Sequence, residues 1–596
     1  MQALKKRSEI PEEECWDLSA LFSDDKSCEA QMNQAAEDAR AFCERYQGQL
    51  GEAGADLLLS AVRDYEQLMQ LMERAFTYAS LRESTDMTET AAVKLSSECQ
   101  MKGSQIFSEL SFFDGELARA PKASLEEAMR KAPEYGIYLK DILDWQPHLL
   151  APETEKALAA LSPALDAPYN VYEMSKAADM AFPDFEAHGK KYPLSYVLYE
   201  NNYSGDTDTE RRRNAFSAFS ETLRRYRNTT AAAYNAQVQK ENILAKLRGF
   251  DSVFDYLLYE QKVSRELYDR HLDITMEKLG PIMRRWAALI KKEHSLEEIH
   301  YSDLKLGLDP EYAPTVSIEE SKAYIQKAME PMGREYQEMV LRAFPERWVD
   351  FAQNIGKSTG GFCTTPFNAH PYILLNWNGN LSEVFTLVHE LGHAAQGLLC
   401  QKHNRPLQAD FTLYDVEAPS TFHEMLLSHS LLKSAKDERF RRWVLASMIE
   451  NTYYHNFVTH FLEGYYQREV YRLVDKGQSL TADDLDAIYL ETLKKFWGDA
   501  VILDEGAELT WMRQPHYYMG LYSYTYSCSL VISTEMFQRL QKEGEAAVSD
   551  WLSFLSTGGP TAPALHCRKA GIEIEDGKAL LRTLDFISSV ISDLEA

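Results

Sequence analysis

The chain has 596 residues, 45% of them hydrophobic and 26% charged, and a formal net charge of −28. Such a length buries a large core and divides into more than one lobe or domain. The acidic balance excludes binding to nucleic acid or an anionic membrane, both of which need basic surface, and by itself names no substrate.

Eight cysteines stand singly (Cys15, Cys28, Cys43, Cys99, Cys363, Cys400, Cys528 and Cys567), the usage of a reducing compartment. The basic start through Lys5-Lys6-Arg7 runs into Glu12-Glu13-Glu14 without the apolar stretch of a signal peptide. Nowhere do roughly eighteen apolar residues follow one another, the length a membrane helix needs. The expectation is a soluble, cytoplasmic protein with no nucleic-acid or membrane partner. Composition leaves the oligomeric state open.

Trp16-Asp17-Leu18 opens the chain as a capped, apolar-anchored entry. Helices are expected over Ala55–Thr77, Thr88–Ala118 and Ser124–Lys131, which are rich in Ala, Leu, Glu, Met and Lys with Gly and Pro at the joints. Ser124-Leu125-Glu126-Glu127 reads as a capping box for the third. Two more helices alternate with proline joints between Pro133 and Pro168, the second opened by Ala151-Pro152. Phe182 to Pro193 alternates and carries turn residues, the pattern of a short hairpin, and a boundary is expected near residue 190. From Glu210 to Gly249 a helix or helix pair returns, its arginines read as a solvated, salt-bridged face. Leu267–Glu293 and Ser317–Phe344 are further amphipathic helices. The exceptions to this α rhythm are Gly360–Pro366 and Pro371–Trp377, two short strands rich in β-branched and aromatic residues. Either they are ordinary core strands, or one has a free edge that pairs with an extended peptide.

The stretch that follows organises the chain. His389-Glu390-Leu391-Gly392-His393 lies among Val384, Phe385, Leu387, Val388, Ala394, Ala395 and Leu398, apolar residues at helical spacing. On that helix His389 and His393 stand one turn apart on one face, about 6 Å along the axis. Two imidazoles so placed take two corners of a tetrahedral zinc and leave Glu390 beside the metal as proton acceptor. An accidental copy would bury two histidines and a glutamate unpaired among apolar residues, which is costly.

A third ligand has several candidates: His403, Asp410, Asp415, Glu417, His423 and Glu424. Asp415 to Leu427 reads as a second apolar helix, with Glu417 at its first turn and Glu424 seven residues on along the same face. Either carboxylate could ligate, and the other would accept a ligand histidine's second N–H. His423 points off that stripe and reads as structural.

His389–His393 together with Asp415-Val416-Glu417-Ala418-Pro419-Ser420 resembles the thimet oligopeptidase (M3) family of zinc peptidases. Pro371–Trp377, Trp16-Asp17-Leu18 and the tyrosine-rich segment near the C-terminus are similar to its oligoendopeptidase F branch, over essentially the whole chain. The resemblance implies a mainly α, two-lobed helical body around a deep substrate channel, with a small β-sheet next to the active-site helix. It implies Glu417 as third ligand beside His389 and His393, and one zinc per chain. It also implies an N-terminal helical region over 1–115, an oligoendopeptidase F-type domain over 116–190 and a catalytic domain over 191–596.

In His516-Tyr517-Tyr518-Met519-Gly520-Leu521-Tyr522-Ser523-Tyr524-Thr525-Tyr526 a phenol O–H aimed at the developing oxyanion would stabilise it. Most of these tyrosines read as helix–helix contacts. By the resemblance Tyr524 is the transition-state tyrosine, with His516 and Tyr517 at the substrate. The function expected is zinc-dependent cleavage of internal bonds in short peptides, with Glu390 as general base. A dipeptidyl carboxypeptidase would share the zinc site and add a cation for the substrate's carboxylate terminus. A non-catalytic helical peptide-binding scaffold would have no use for Glu390.

Overall fold

The computed structural model describes residues 4–596. Helix makes up 71% of it and strand 4%, so the mainly α expectation holds. No described helix is long and apolar enough to cross a membrane.

Buried side chains form two cores. One gathers Trp16, Leu21, Leu58, Leu68, Leu95 and Leu139 from the N-terminal helices, chiefly Asp25–Tyr46, Ala55–Thr85 and Thr90–Leu110. The other runs from Phe185 to Leu594 and takes in the helices from Thr209–Leu247 onward. The expected hairpin is present as β1 (Phe185–Ala187) and β2 (Lys190–Tyr192), Phe185 pairing with Tyr192. Its turn, His188 (φ 50°) and Gly189 (φ 69°), has the positive φ at both central residues that suits a two-residue hairpin.

The second sheet joins the lobes. Its order is β3 (Val349–Ala352), β5 (Tyr372–Trp377), β4 (Phe362–Thr364), with β3 parallel and β4 antiparallel to the central β5. In β5 Tyr372 and Leu374 enter the N-terminal core, while Ile373 and Leu375 enter the larger one. Successive side chains of a strand point to opposite faces, so one six-residue strand is core to both lobes. Of the two strands expected here, β5 is therefore the central one and β4 has the free edge.

Several details differ from the sequence reading. The helix expected at Ser124 begins at Lys122 after Pro121, with no side-chain cap, so the capping box does not form. Thr209–Leu247 is one helix of 39 residues, and its arginines are not all solvated: Arg212, 1% exposed, pairs with the buried Asp303, which also binds Arg213 at 2.7 Å. Ser317–Phe344 divides at Gly333, whose φ of 85° breaks the helical run. Strand β3 was not anticipated.

Candidate metal and peptide site

Two helices carry the site: Leu381–His403, here the His389 helix, and Ala418–Ser434, here the Glu417 helix. They cross at Gly392. A Cβ there would stand 2.5 Å from the carbonyl oxygen of Pro419 and 2.6 Å from Cα of Ser420. Only a residue without a side chain lets the two backbones come so close.

That crossing brings the predicted ligand atoms together. Nε2 of His389 and Nε2 of His393 each lie 3.3 Å from Oε2 of Glu417. Two ligands about 2.0–2.1 Å from a tetrahedral zinc are separated by about 3.3 Å, so both spacings fit the edges of such a site. Burial disfavours the Glu417 carboxylate, but the imidazoles of His393 and His389 hold its pKa well below the usual range. Glu417 is the N-cap residue of its helix, one position ahead of the first turn expected for it. Its Oε2 also accepts from Ser420 Oγ at 2.9 Å.

Glu424 takes the other role open to it. Its Oε1 is 2.6 Å from Nδ1 of His389, and its Oε2 accepts the hydroxyl of Thr452. With Nδ1–H so engaged, His389 presents Nε2 to the centre. His423 is structural: Nδ1–H donates to the carbonyl of Val388 at 3.0 Å, and Nε2 accepts from Tyr336 at 2.7 Å. Burial pushes its pKa down to about 3, which keeps the imidazole neutral.

Glu390 is 6% exposed, and burial raises its pKa against the pull of the two histidines. Its carboxylate lies at the head of β4: a Cβ on Gly361 would be 3.5 Å from Oε1. A cavity of about 600 Å³ opens here, lined among others by Gly361, Cys363, Glu390, Glu417 and Tyr522. The adjoining hollow of about 690 Å³ shares Glu73, Asp410 and Phe411 with it and is walled by both lobes, Tyr65 and Asp114 on one side and Gln261 and Leu521 on the other.

The tyrosine segment divides differently from expectation. Tyr524, 1% exposed, donates to Oε1 of Gln261 at 2.7 Å and sets its ring edge-on to Tyr268. Tyr517, also 1% exposed, packs on Tyr234 and Tyr466. Neither lines the cavity beside His389, His393 and Glu417. Tyr522 does, and its hydroxyl accepts from Tyr526 at 3.0 Å. His516 stands beside this pair, its ring 5.4 Å from that of Tyr522. A spacing of four residues puts Tyr522 and Tyr526 on one side of the turn, whereas Tyr524, two residues from each, faces the other way. That spacing was the signal available in the sequence.

Residues 203–586 match the family described as Peptidase family M3, and residues 116–182 that described as Oligopeptidase F. The Oligopeptidase PepF of Bacillus subtilis is 28% identical over 599 aligned residues, covering 99% of this chain and 88% of that protein. An oligoendopeptidase F homolog of Borreliella burgdorferi is 25% identical, covering 99% of each. Among solved structures, oligoendopeptidase-F from Enterococcus faecium shares the fold with a TM-score of 0.74 at 23% identity, over 96% of this chain and 98% of that one. A Chlamydophila abortus protein reaches 0.87 at 22% identity, over 99% of both.

Proposed function

The chain belongs to peptidase family M3, and from that premise we propose that it is a zinc-dependent endopeptidase cutting internal bonds of short oligopeptides. The observation that carries this reading is the pair of 3.3 Å spacings from one carboxylate oxygen to two imidazole nitrogens, with a buried glutamate alongside. His389, His393 and Glu417 would hold the metal. Zinc bound there supplies Lewis acidity, acidifying water and polarising a carbonyl.

The remaining steps fall to the protein's own groups. Glu390 accepts the proton of the attacking water and returns it to the leaving amine, a role favoured by its burial. The free edge of β4 offers backbone N–H and C=O groups to an extended peptide, laying the scissile bond along the His389 helix. Tyr522, rather than Tyr524, aims a phenol O–H at the oxygen where negative charge develops, with Tyr526 setting its rotamer. His516 flanks that pair. A slot between two lobes admits an extended chain more readily than a folded protein, in keeping with the oligopeptidase names of the relatives.

Glu390→Gln tests the assignment. Digestion of a defined peptide mixture, read by mass spectrometry, should slow by about 10³-fold or more while zinc content stays near one per chain. Turnover by the variant at the wild-type rate would remove Glu390 from the chemistry. Peptides blocked at both ends should still be cut internally; cleavage that requires a free carboxylate terminus would indicate a carboxypeptidase instead.

A further inference from the structure

A second group of titratable side chains lies behind the tyrosines. Glu463, 2% exposed on the helix His460–Asp475, receives three donors on one oxygen. Nδ1 of His460 is 2.9 Å from Oε2, Nδ1 of His516 3.3 Å and Oγ of Ser523 3.1 Å. Oε1 has no hydrogen-bond partner among the described residues. Burial alone would raise this carboxyl, but the two imidazoles hold it at about 2, so it is a buried anion. A buried charge persists only where donors surround it, and those donors become fixed in return.

What they fix is the floor under the catalytic tyrosines. His460 stacks on Tyr526, ring centroids 4.0 Å apart and planes 20° from parallel, and is 4.8 Å from the ring of His516. Its Nε2 is 3.1 Å from Nε2 of His455. His516 in turn flanks both Tyr522 and Tyr526, at 5.4 and 5.6 Å. With Nδ1 of His516 turned to Glu463, only Nε2 remains for a peptide in the channel. Tyr522, the tyrosine that lines the cavity beside the candidate ligands, thus rests on rings oriented by one carboxylate.

We propose that Glu463 is a positioning residue for peptide-bond hydrolysis: through His460 and His516 it seats Tyr526 and Tyr522, and so sets where the Tyr522 hydroxyl stands. The inference rests on the peptidase reading above. Ser523, the N-cap residue of the helix Tyr524–Glu543, ties the same carboxylate to the segment that carries the tyrosines. His460, Glu463 and His516 also bring three potential ligand atoms within 4.8 Å of one another, so a second metal site is the competing account of the cluster. Three donors converging on one oxygen at 2.9–3.3 Å are a hydrogen-bonding pattern, and the stacking of His460 on Tyr526 gives that ring a use without a metal.

The test compares Glu463→Gln, Tyr522→Phe and the double variant, each assayed for kcat, KM, melting temperature and zinc content. Glu463→Gln should lower kcat about 10- to 100-fold with KM changed less than about 3-fold and zinc still near one per chain. Added to Tyr522→Phe it should cost no more than about 2-fold further, because both changes act on the same hydroxyl. Tyr526→Phe keeps the ring on His460 and removes only the hydrogen bond to Tyr522. It should reproduce the kcat loss at unchanged melting temperature, and it carries the test if Glu463→Gln folds poorly. Unchanged kcat in these single variants, losses that multiply in the double variant, or a second zinc per wild-type chain lost in Glu463→Gln would overturn the proposal. If the peptidase reading itself were wrong, the wild type would neither bind zinc nor cut peptides, which separates the two failures.

Discussion

At the residue scale the two glutamates of the Glu417 helix divide the work by atom. Both were legible in sequence as carboxylates on one face of an apolar helix, and residue spacing alone left them interchangeable. What separates them is which imidazole nitrogen each meets: Glu417 faces Nε2 of both histidines, Glu424 faces Nδ1 of one. Glu424→Ala should therefore leave the three ligand atoms in place and weaken zinc binding by about 10- to 100-fold, measured by competition with a chromophoric chelator. An unchanged affinity would mean that the 2.6 Å contact to His389 has no effect on the ligand. The tyrosines show the opposite case. Tyr522 and Tyr524 stand two positions apart, a spacing that sends them to opposite sides without saying which side meets the cavity. The resemblance suggested Tyr524, while the packing of Tyr524 on Tyr268 and its bond to Gln261 turn that hydroxyl elsewhere.

At the scale of elements, the helices with strong apolar periodicity were readable and their ends less so. The His389 helix and the hairpin at residues 185–192 were legible because period and turn residues agree. Strand β3 was hidden because it buries Asp350, a residue that breaks an apolar reading. Its carboxylate is neutralised by Arg7, 343 residues away in the chain, at 2.8 Å and by Lys357, 7 residues on, at 2.7 Å. The helix crossing was equally invisible: Gly392 looked like a mere position between two ligands, and only the structure shows the backbone of Pro419 and Ser420 against it. Gly392→Ala should push the His389 and Glu417 helices apart, costing about 1–3 kcal/mol of stability and lowering zinc affinity together. Thermal melting with parallel zinc titration checks this, and a variant that melts and binds like the wild type would show that the crossing can give way. Gly464, where an added Cβ would stand 3.0 Å from Cβ of Tyr524, marks a similar but looser approach between the helices that carry Glu463 and the tyrosines.

At the scale of the whole molecule, the two lobes share β5, and the site lies where the edge of that sheet, the His389 and Glu417 helices and the inter-lobe hollow meet. The mainly α, two-lobed shape was legible from composition, periodicity and resemblance. The sharing of one strand by two cores was not, because a run such as Tyr372-Ile373-Leu374-Leu375 is apolar on both faces and does not say what covers each. Packing between distant helices also contributes to how stability falls in acid. His271, 5% exposed on the helix Arg265–Glu293, bonds through Nε2 to Ser527 at 2.7 Å, and burial pushes its pKa down to about 3. Its folded pKa lies below its unfolded value near 6.5, so the unfolded chain binds the proton first. Stability from this residue is complete above about pH 6.5 and falls by up to about 1.4 kcal/mol per pH unit on acidification. In calorimetric melts between pH 7 and 4, His271→Gln should show a shallower loss of melting temperature than the wild type. Parallel profiles would place the acid sensitivity elsewhere.

The proposed convergence of two helices on one ion is most directly tested by anomalous scattering from crystals of the zinc-loaded protein, recorded on both sides of the zinc absorption edge. A single peak per chain is expected, within about 2.0–2.2 Å of Nε2 of His389, Nε2 of His393 and Oε2 of Glu417. A map with no peak between those atoms, or with its peak among His460, Glu463 and His516, would contradict it.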